Sequence, residues 1–266
     1  MRYLSPALNV MMAAARKAGR ALIRDFGELE NLQISKKGPA DFVTNADQRT
    51  ERVLVEELTK ARPGYCFLLE ERGLVEGPDK THRFIIDPID GTSNFMHGLP
   101  QFAISIALER EGQLASAVVF NPVTDEMFYA ERGHGAYLNE KRLRVAARKN
   151  LSECLIASGA PFMGKEGHDQ FLAELRAVLE NTAGMRRFGA ASLDLAWTAA
   201  GKFDGFWERN LKAWDVAAGA LLVREAGGVV TDLTGRDRVL ETGDILATND
   251  ALHKPLLDLI RGASKA

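Results

Sequence analysis

Apolar positions along the chain follow two rhythms. Residues 84–86 (Phe84, Ile85, Ile86) and 67–69 (Phe67, Leu68, Leu69) are short unbroken apolar runs, the pattern of strands buried on both faces. Each run ends in acids, Glu70 and Glu71 in one case, Asp87 and Asp90 in the other. The two strands are therefore expected to be sheet neighbours. Pro88 cannot continue a central strand, which predicts a turn directly after Asp87. Residues 102–108 and 115–120 predict strands around the turn REGQ, and 126–130 and 135–138 a third and fourth, an antiparallel meander extended by 143–145. The helical rhythm appears first at Leu8, Met11, Met12, Ala15 and Leu22, after Ser5 as N-cap and Pro6 in the first turn. It returns at Val53, Leu54 and Leu58, after Thr44 as N-cap with Asp47 three residues on as half of a capping box. Residues 27–37 read as a hairpin or loop and 73–81 as a short polar connection. A second half begins near residue 152. It holds helices at 171–179, 190–200, 214–226 and 251–261, and strands at 203–208, 229–233 and 245–248. The helix at 190–200 is built of small residues for close packing in the core, and Gly227 and Gly228 end the one before them.

Composition narrows the class. The 266 residues suffice for one large domain or two joined lobes. No internal repeat, low-complexity tract or interdomain linker is visible. We read the chain as a single domain, with an N-terminal lobe of about 1–150 and a C-terminal lobe of about 151–266. A net charge of -2 gives no basic footprint for general nucleic-acid binding. Cys66 and Cys154 lack zinc-ligand spacing and make no disulfide framework, which points to a reducing compartment. No apolar run approaches the length of a membrane span. Arg16, Lys17, Arg20 and Arg24 among alanines imitate a transit peptide, but the Ser5 cap, the apolar stripe and Asp25 favour a structural helix.

The candidate chemistry is concentrated at 84–94, FIIDPIDGTSN. Asp87 and Asp90 on one tight turn repel each other unless a cation lies between them. Gly91 lets a ligand approach the backbone, and Thr92 or Ser93 is placed to cap a helix whose first N–H groups face an anion. Metal-binding acids beside phosphate-binding amides point to metal-assisted phosphate chemistry. Taken alone, the motif also reads as an acidic turn with an N-cap. The aspartyl-phosphate phosphatase signature DxDGT is a sharper rival, with one acid attacking phosphorus and the other protonating the leaving group. Here the acids are three apart with a proline between, so that geometry does not transfer.

Taken together, GPADFVTNADQ, LEER, DPIDGTSNF, GxGAYLN at 133–139 and WDVAAGALLVREAGG resemble the inositol monophosphatase family over almost the whole chain. The likeness is greatest to its bacterial inositol-1-monophosphatase type, within the magnesium-dependent, lithium-sensitive phosphatases. The resemblance implies an α+β fold, a layered α-β-α-β-α sandwich of the inositol monophosphatase/fructose-1,6-bisphosphatase type, usually a homodimer. It implies a cytoplasmic enzyme that hydrolyses a phosphate monoester, foremost inositol-1-phosphate, with two or three magnesium ions and an attacking water. By motif, Glu70 holds one magnesium and takes part in catalysis. Asp87 bridges two ions, the Ile89 carbonyl serves the first, and Asp90 and Asp215 hold the second. Gly91 and Thr92 supply phosphate-binding amides, and the Thr92 hydroxyl with Asp47 activates the water. Gly189, Ala190 and Ala191 line the substrate, Glu208 binds its hydroxyls, and Lys36, or Lys37 in a shifted register, is a basic residue near the metals. Plainer readings stand beside these: helix capping for Asp47 and Thr92, a first-turn carboxylate favoured by the helix dipole for Asp215, an exposed acidic loop for Glu70, core packing for Ile89, tight helix packing for 189–191, an exposed strand-end charge for Glu208. His97 is read as structural. Arg72, where a small residue is usual, is the departure that bears on substrate preference; Ser93, Leu68 and Leu69 are lesser ones. Two alternatives accompany this reading. One is a related phosphatase for histidinol phosphate, nucleotide bisphosphates or fructose bisphosphate. The other is a binding role with the transcription antitermination machinery. No membrane and no direct nucleic-acid contact are expected.

Overall fold

The computed structural model describes residues 4–28, 34–38 and 41–263, with backbone only at 34–38 and 41–43. In chain order, α1 (Pro6–Gly27) precedes an antiparallel hairpin of β1 (Ile34–Gly38) and β2 (Asp41–Thr44), then α2 (Asn45–Ala61). Next come β3 (Tyr65–Leu69), β4 (Gly73–Val75), β5 (Asp79–Asp90), the short α3 (Thr92–Met96), β6 (Ala103–Arg110), β7 (Gln113–Asn121), β8 (Glu126–Glu131), β9 (Gly135–Leu138) and β10 (Lys141–Arg142). The second half holds β11 (Leu155–Ser158), α4 (His168–Asn181), β12 (Gly184–Arg186), α5 (Ala191–Ala199), β13 (Gly205–Glu208), α6 (Ala213–Glu225), β14 (Val229–Thr231), α7 (Val239–Thr242), β15 (Ile245–Thr248) and α8 (Asp250–Ala263). Among the described residues, an eight-stranded sheet runs β10-β9-β8-β7-β6-β5-β3-β4 and a five-stranded sheet β12-β11-β13-β15-β14. No helix among them is long and apolar enough to cross a membrane.

The unbroken apolar runs are explained by burial on both faces of the large sheet. Phe84 and Ile86 of β5 pack with Ile104, Ile106, Val118 and Phe120 against α1 and α2. Ile85 points the other way, with Ala103, Ala107, Ala117 and Ala130, toward α5 and α6. Phe206, Ile245 and Ala247 of the smaller sheet close on the far side of those two helices. Its outer face carries Ile156, Trp207 and Leu246 against α4 and α8. The layers are therefore α1/α2, large sheet, α5/α6, small sheet, α4/α8, the α-β-α-β-α sandwich expected.

Several local expectations need correction. Pro88 does not end its strand: β5 runs on to Asp90, with a bulge between Asp87 and Asp90 opposite β6. The partner β3 stops at the Leu69–Ile86 pair, so Pro88 lies past the ladder on that side and its missing N–H leaves nothing unpaired. Residues 73–81 are no mere connection, since β4 turns back on β3 and β5 begins at Asp79. The meander is extended by β10, not by 143–145. Strands β11 and β12 were not foreseen; they are too short to show a period. The α1 and α2 caps at Ser5 and Thr44 form as read, including the Thr44–Asp47 box.

Candidate active site

The site is assembled at strand ends and helix starts. β3 and β5 are parallel neighbours in register Leu69–Ile86, and the Glu70 N–H donates to Ile86 O. Their next residues, Glu70 and Asp87, therefore emerge side by side, as the paired runs predicted. The bulge in β5 turns Asp90 to the same region. Asp47 enters from the first turn of α2, Asp215 from that of α6, and Thr92 opens α3.

Each acid is fixed by the backbone around it. Asp87 Oδ1 accepts the Ile89 N–H at 2.9 Å. Asp90 Oδ2 accepts the Ser192 N–H at 2.7 Å and the Ser192 hydroxyl, which places it on the open first turn of α5. Asp215 Oδ2 accepts the Lys212 N–H at 2.7 Å. Asp47 Oδ2 accepts both the N–H and the hydroxyl of Thr44 at 2.7 Å. The Thr92 hydroxyl lies 3.2 Å from Asp47 Oδ1 and 3.0 Å from Ile89 O, sharing its one proton between them. That hydroxyl does not cap α3: Gly91 occupies the cap position, in the left-handed region at φ 93, Thr92 is the first helical residue, and Ser93 is exposed. A side chain at Gly91 would meet Gln101 O at 2.9 Å, and the Ala190 methyl and Gly189 O are its next neighbours. The 189–191 segment thus lies directly beside Gly91.

Glu208 ends β13 against Gly159, which follows β11. A Cβ on Gly159 would lie 1.8 Å from Glu208 Oε1, so only glycine leaves room for that carboxyl. Both Glu208 and Asp215 line a cavity of about 190 Å³ closed by Pro161, Phe162, Phe171 and Leu211. The Ile89 side chain is in the core, and its carbonyl accepts from the Thr92 hydroxyl. The exposed His97 rests its Nδ1 on Ser93 O at 2.8 Å, a helix-end contact in keeping with a structural role. The side chains of Lys36 and Lys37 lie outside the described residues.

The electrostatics are those of crowded, buried acid. Burial pushes Asp47 up to about 6, against the opposing Thr44 hydrogen bonds. Burial and then Asp90 push Asp215 up to about 7. Burial, Asp215 and Asp90 push Glu208 up to about 8, against the pull of Arg187. Burial holds Asp87 well above the usual carboxylate range, reinforced by Glu70, Asp90 and Asp215. Asp90 is also raised, chiefly by burial, although Ser192 opposes it. Asp47, Glu70 and Glu71 each offer a carboxylate oxygen within 4.8 Å of the others. Carboxylate oxygens in mutual repulsion fit a hard divalent cation.

Sequence reasoning missed four contributors. Asn94 Nδ2 donates to Gln101 O and Phe188 O, both at 2.7 Å, and so ties α3 to the 188–191 segment. Ser192 holds Asp90, and Gly159 makes room for Glu208. Asp194 is buried on α5 with neither carboxylate oxygen hydrogen-bonded, and burial, then Glu208 and Asp90, raise it far above the usual range. Asn94 and Ser192 lie inside or beside the motifs; nothing in the sequence marks Gly159.

A sequence profile described as the inositol monophosphatase family matches residues 3–265. The chain belongs to the inositol monophosphatase family. It is 59% identical over 256 residues, 95% of this chain and 100% of the relative, to an inositol-1-monophosphatase of Caulobacter vibrioides. It is 46% identical over 262 residues, 97% of each chain, to the Nus factor SuhB of Pseudomonas aeruginosa. The crystal structure of the extragenic suppressor protein suhB of Bartonella henselae superposes with a TM-score of 0.94 at 52% identity, over 97% of this chain and 99% of that one.

Proposed function

We propose that the chain is a magnesium-dependent phosphatase that hydrolyses inositol-1-phosphate to inositol and phosphate. The observation that carries this reading is the convergence of Glu70, Asp87, Asp90 and Asp215 with the Asp47–Thr92 pair at one point, in a member of this family. Glu70, Asp87, the Ile89 carbonyl, Asp90 and Asp215 would hold two or three ions. When bound, magnesium neutralises phosphate charge, lowers the pKa of water and stabilises the leaving alkoxide. Asp47 takes the Thr92 proton, which frees that oxygen to orient the attacking water, with Glu70 alongside. The N–H groups of Gly91 and Thr92 face the phosphate. Gly189, Ala190 and Ala191 shape the space for the inositol ring, and Glu208, protonated at neutral pH, donates to a ring hydroxyl as readily as it accepts. A single catalytic domain with lobes of about 1–150 and 151–266 supplies these groups from both sides, in a cytoplasmic, lithium-sensitive homodimer.

The test is a panel of phosphate monoesters assayed with and without magnesium. Inositol-1-phosphate is expected to be hydrolysed best; preferential turnover of histidinol phosphate, a nucleotide bisphosphate or fructose bisphosphate would move the assignment within the class. The likeness to Nus factor SuhB favours a second role, binding the transcription machinery, and recovery of RNA polymerase in a pull-down from native lysate would establish it.

A further inference from the structure

Arg72 stands where the family usually has a small residue, and the structure pairs it with Glu51. Residues 70–72 form a three-residue hairpin loop between β3 and β4, closed by the Leu69–Gly73 pair. This loop carries both acids, Glu70 and Glu71. Its first residue is held by the ladder through the Glu70 N–H to Ile86 O. Its next two are held by one carboxylate, that of Glu51. Glu51 Oε2 accepts the Glu71 N–H at 2.9 Å, and Oε1 accepts Arg72 Nε at 2.7 Å. Glu51 is 2% exposed, and the half-exposed Arg72 guanidinium supplies its counter-charge.

Glu51 sits one helical turn after Asp47, so the two side chains share a face of α2. That face meets the hairpin at two points. Asp47 offers an oxygen to the group formed with Glu70 and Glu71. Glu51 grips the backbone that carries them. We infer that Glu51 is a positioning residue: with Arg72 it fixes the hairpin that carries Glu70, one of the proposed metal ligands, beside Asp47 and Asp87. Arg72 then acts on the metal site and not on substrate choice. This inference rests on the reading of these acids as the cation site of a phosphatase. Like-charged side chains on one loop push apart in the absence of an ion. A buried acceptor on the helix opposes that displacement before the ion arrives, so less of the binding energy is spent on ordering the loop.

The experiment is a calorimetric titration of magnesium alone into the wild type, Glu51→Ala, Glu51→Gln and Arg72→Ala. It is paired with turnover of inositol-1-phosphate over a range of magnesium concentrations. Glu51→Ala is expected to bind magnesium about ten-fold more weakly, the usual loss when support behind a ligand is removed. Saturating magnesium should return its turnover to within a few-fold of wild type. Glu51→Gln keeps an acceptor for the Glu71 N–H and should lose less. Arg72→Ala should shift in the same direction with its ranking of phosphate esters unchanged. If Glu51→Ala does not fold, the other two variants carry the comparison. Variants that melt lower yet bind magnesium as tightly as wild type overturn the inference, because a merely structural contact behaves that way. So does a changed ester ranking at unchanged affinity in Arg72→Ala, which would put the guanidinium on the substrate. A wild type that binds magnesium but hydrolyses no monoester defeats the phosphatase reading, and the calorimetry still decides whether Glu51 positions the hairpin.

Discussion

Asp47 makes two sets of contacts with different oxygens. Oδ2 closes the capping box with Thr44, and Oδ1 faces the Thr92 hydroxyl. The geometry is open to both the cap and the proposed catalytic role, and substitutions separate them. Thr44→Ala removes the cap hydroxyl, and with it one hydrogen bond to Asp47 Oδ2, but leaves Oδ1 facing Thr92; it should cost about 1 kcal/mol of stability and lower turnover far less than Thr92→Ala. Thr92→Ala removes the other contact; it should lower kcat by about 10²-fold and melt near wild type. Asp47→Asn should show both effects. The double variant Thr92→Ala/Asp47→Asn should be little slower than the slower single, because the two groups serve one water. Fully multiplicative losses would reject the shared role. Asp90 has a similar double life. From sequence, removing its charge promised relief of repulsion, but Oδ2 also holds the first turn of α5 through Ser192. Asp90→Asn keeps one acceptor there, so it should fold and melt close to wild type while losing most turnover. Ser192→Ala isolates the structural part at about 1 kcal/mol. Melting curves and magnesium-dependent rates for both variants test this division; near-normal turnover of Asp90→Asn at low magnesium would remove Asp90 from the proposed metal ligands.

Elements were legible where apolar runs were long or caps were strong. The strands of the meander, α1 and α2 emerged from period and capping alone, and the adjacency of β3 and β5 from their matching acidic ends. What stayed hidden depended on partners distant in sequence. Pro88 could remain in β5 only because β3 ends two residues earlier, at the Leu69–Ile86 pair, and that is a fact of register. β11 has only four residues, too few to show a period, and Gly159 after it reads only as part of a turn, so nothing tied it to the site. Yet parallel pairing of β11 with β13, in register Ser158–Trp207, sets Gly159 against Glu208. Gly159→Ala should therefore displace the Glu208 carboxyl from its seat. The expected result is a KM for inositol-1-phosphate raised about ten-fold, with kcat changed much less, as for a lost interaction shared by ground and transition states. Steady-state kinetics beside a small substrate without ring hydroxyls, such as phenyl phosphate, provide the check. An equal loss on both substrates would mean general damage to the strand pair and not loss of a hydroxyl contact.

At the scale of the molecule, the layered core brings the starts of α2, α3, α5 and α6 to one place and gathers acids there whose mutual repulsion and burial outweigh the pull of Arg187 and Lys212 beside them. Several of these carboxyls have folded-state pKa values above the ordinary range: about 6 at Asp47, about 7 at Asp215 and about 8 at Glu208, each chiefly through burial. The direction of the pH dependence follows by linkage. Between about pH 4 and pH 8, the folded metal-free protein binds more protons at these groups than the unfolded chain does, so their contribution to stability falls as pH rises. It is fully present below the ordinary carboxylate pKa and lost in steps as pH passes about 6, 7 and 8. This is the reverse of a carboxylate held low by an ion pair. A bound divalent cation changes the sign, because it binds the charged carboxylates and must displace their protons. The metal-free protein should therefore melt at a higher temperature near pH 5.5 than near pH 8. Magnesium should add little at the lower pH and progressively more at the higher. Melting curves across this range, with chelator and with millimolar magnesium, test both halves. Equal stabilisation by magnesium at every pH would show that its ligands are already ionised throughout, and so that the buried acids of this site are not the groups that hold it.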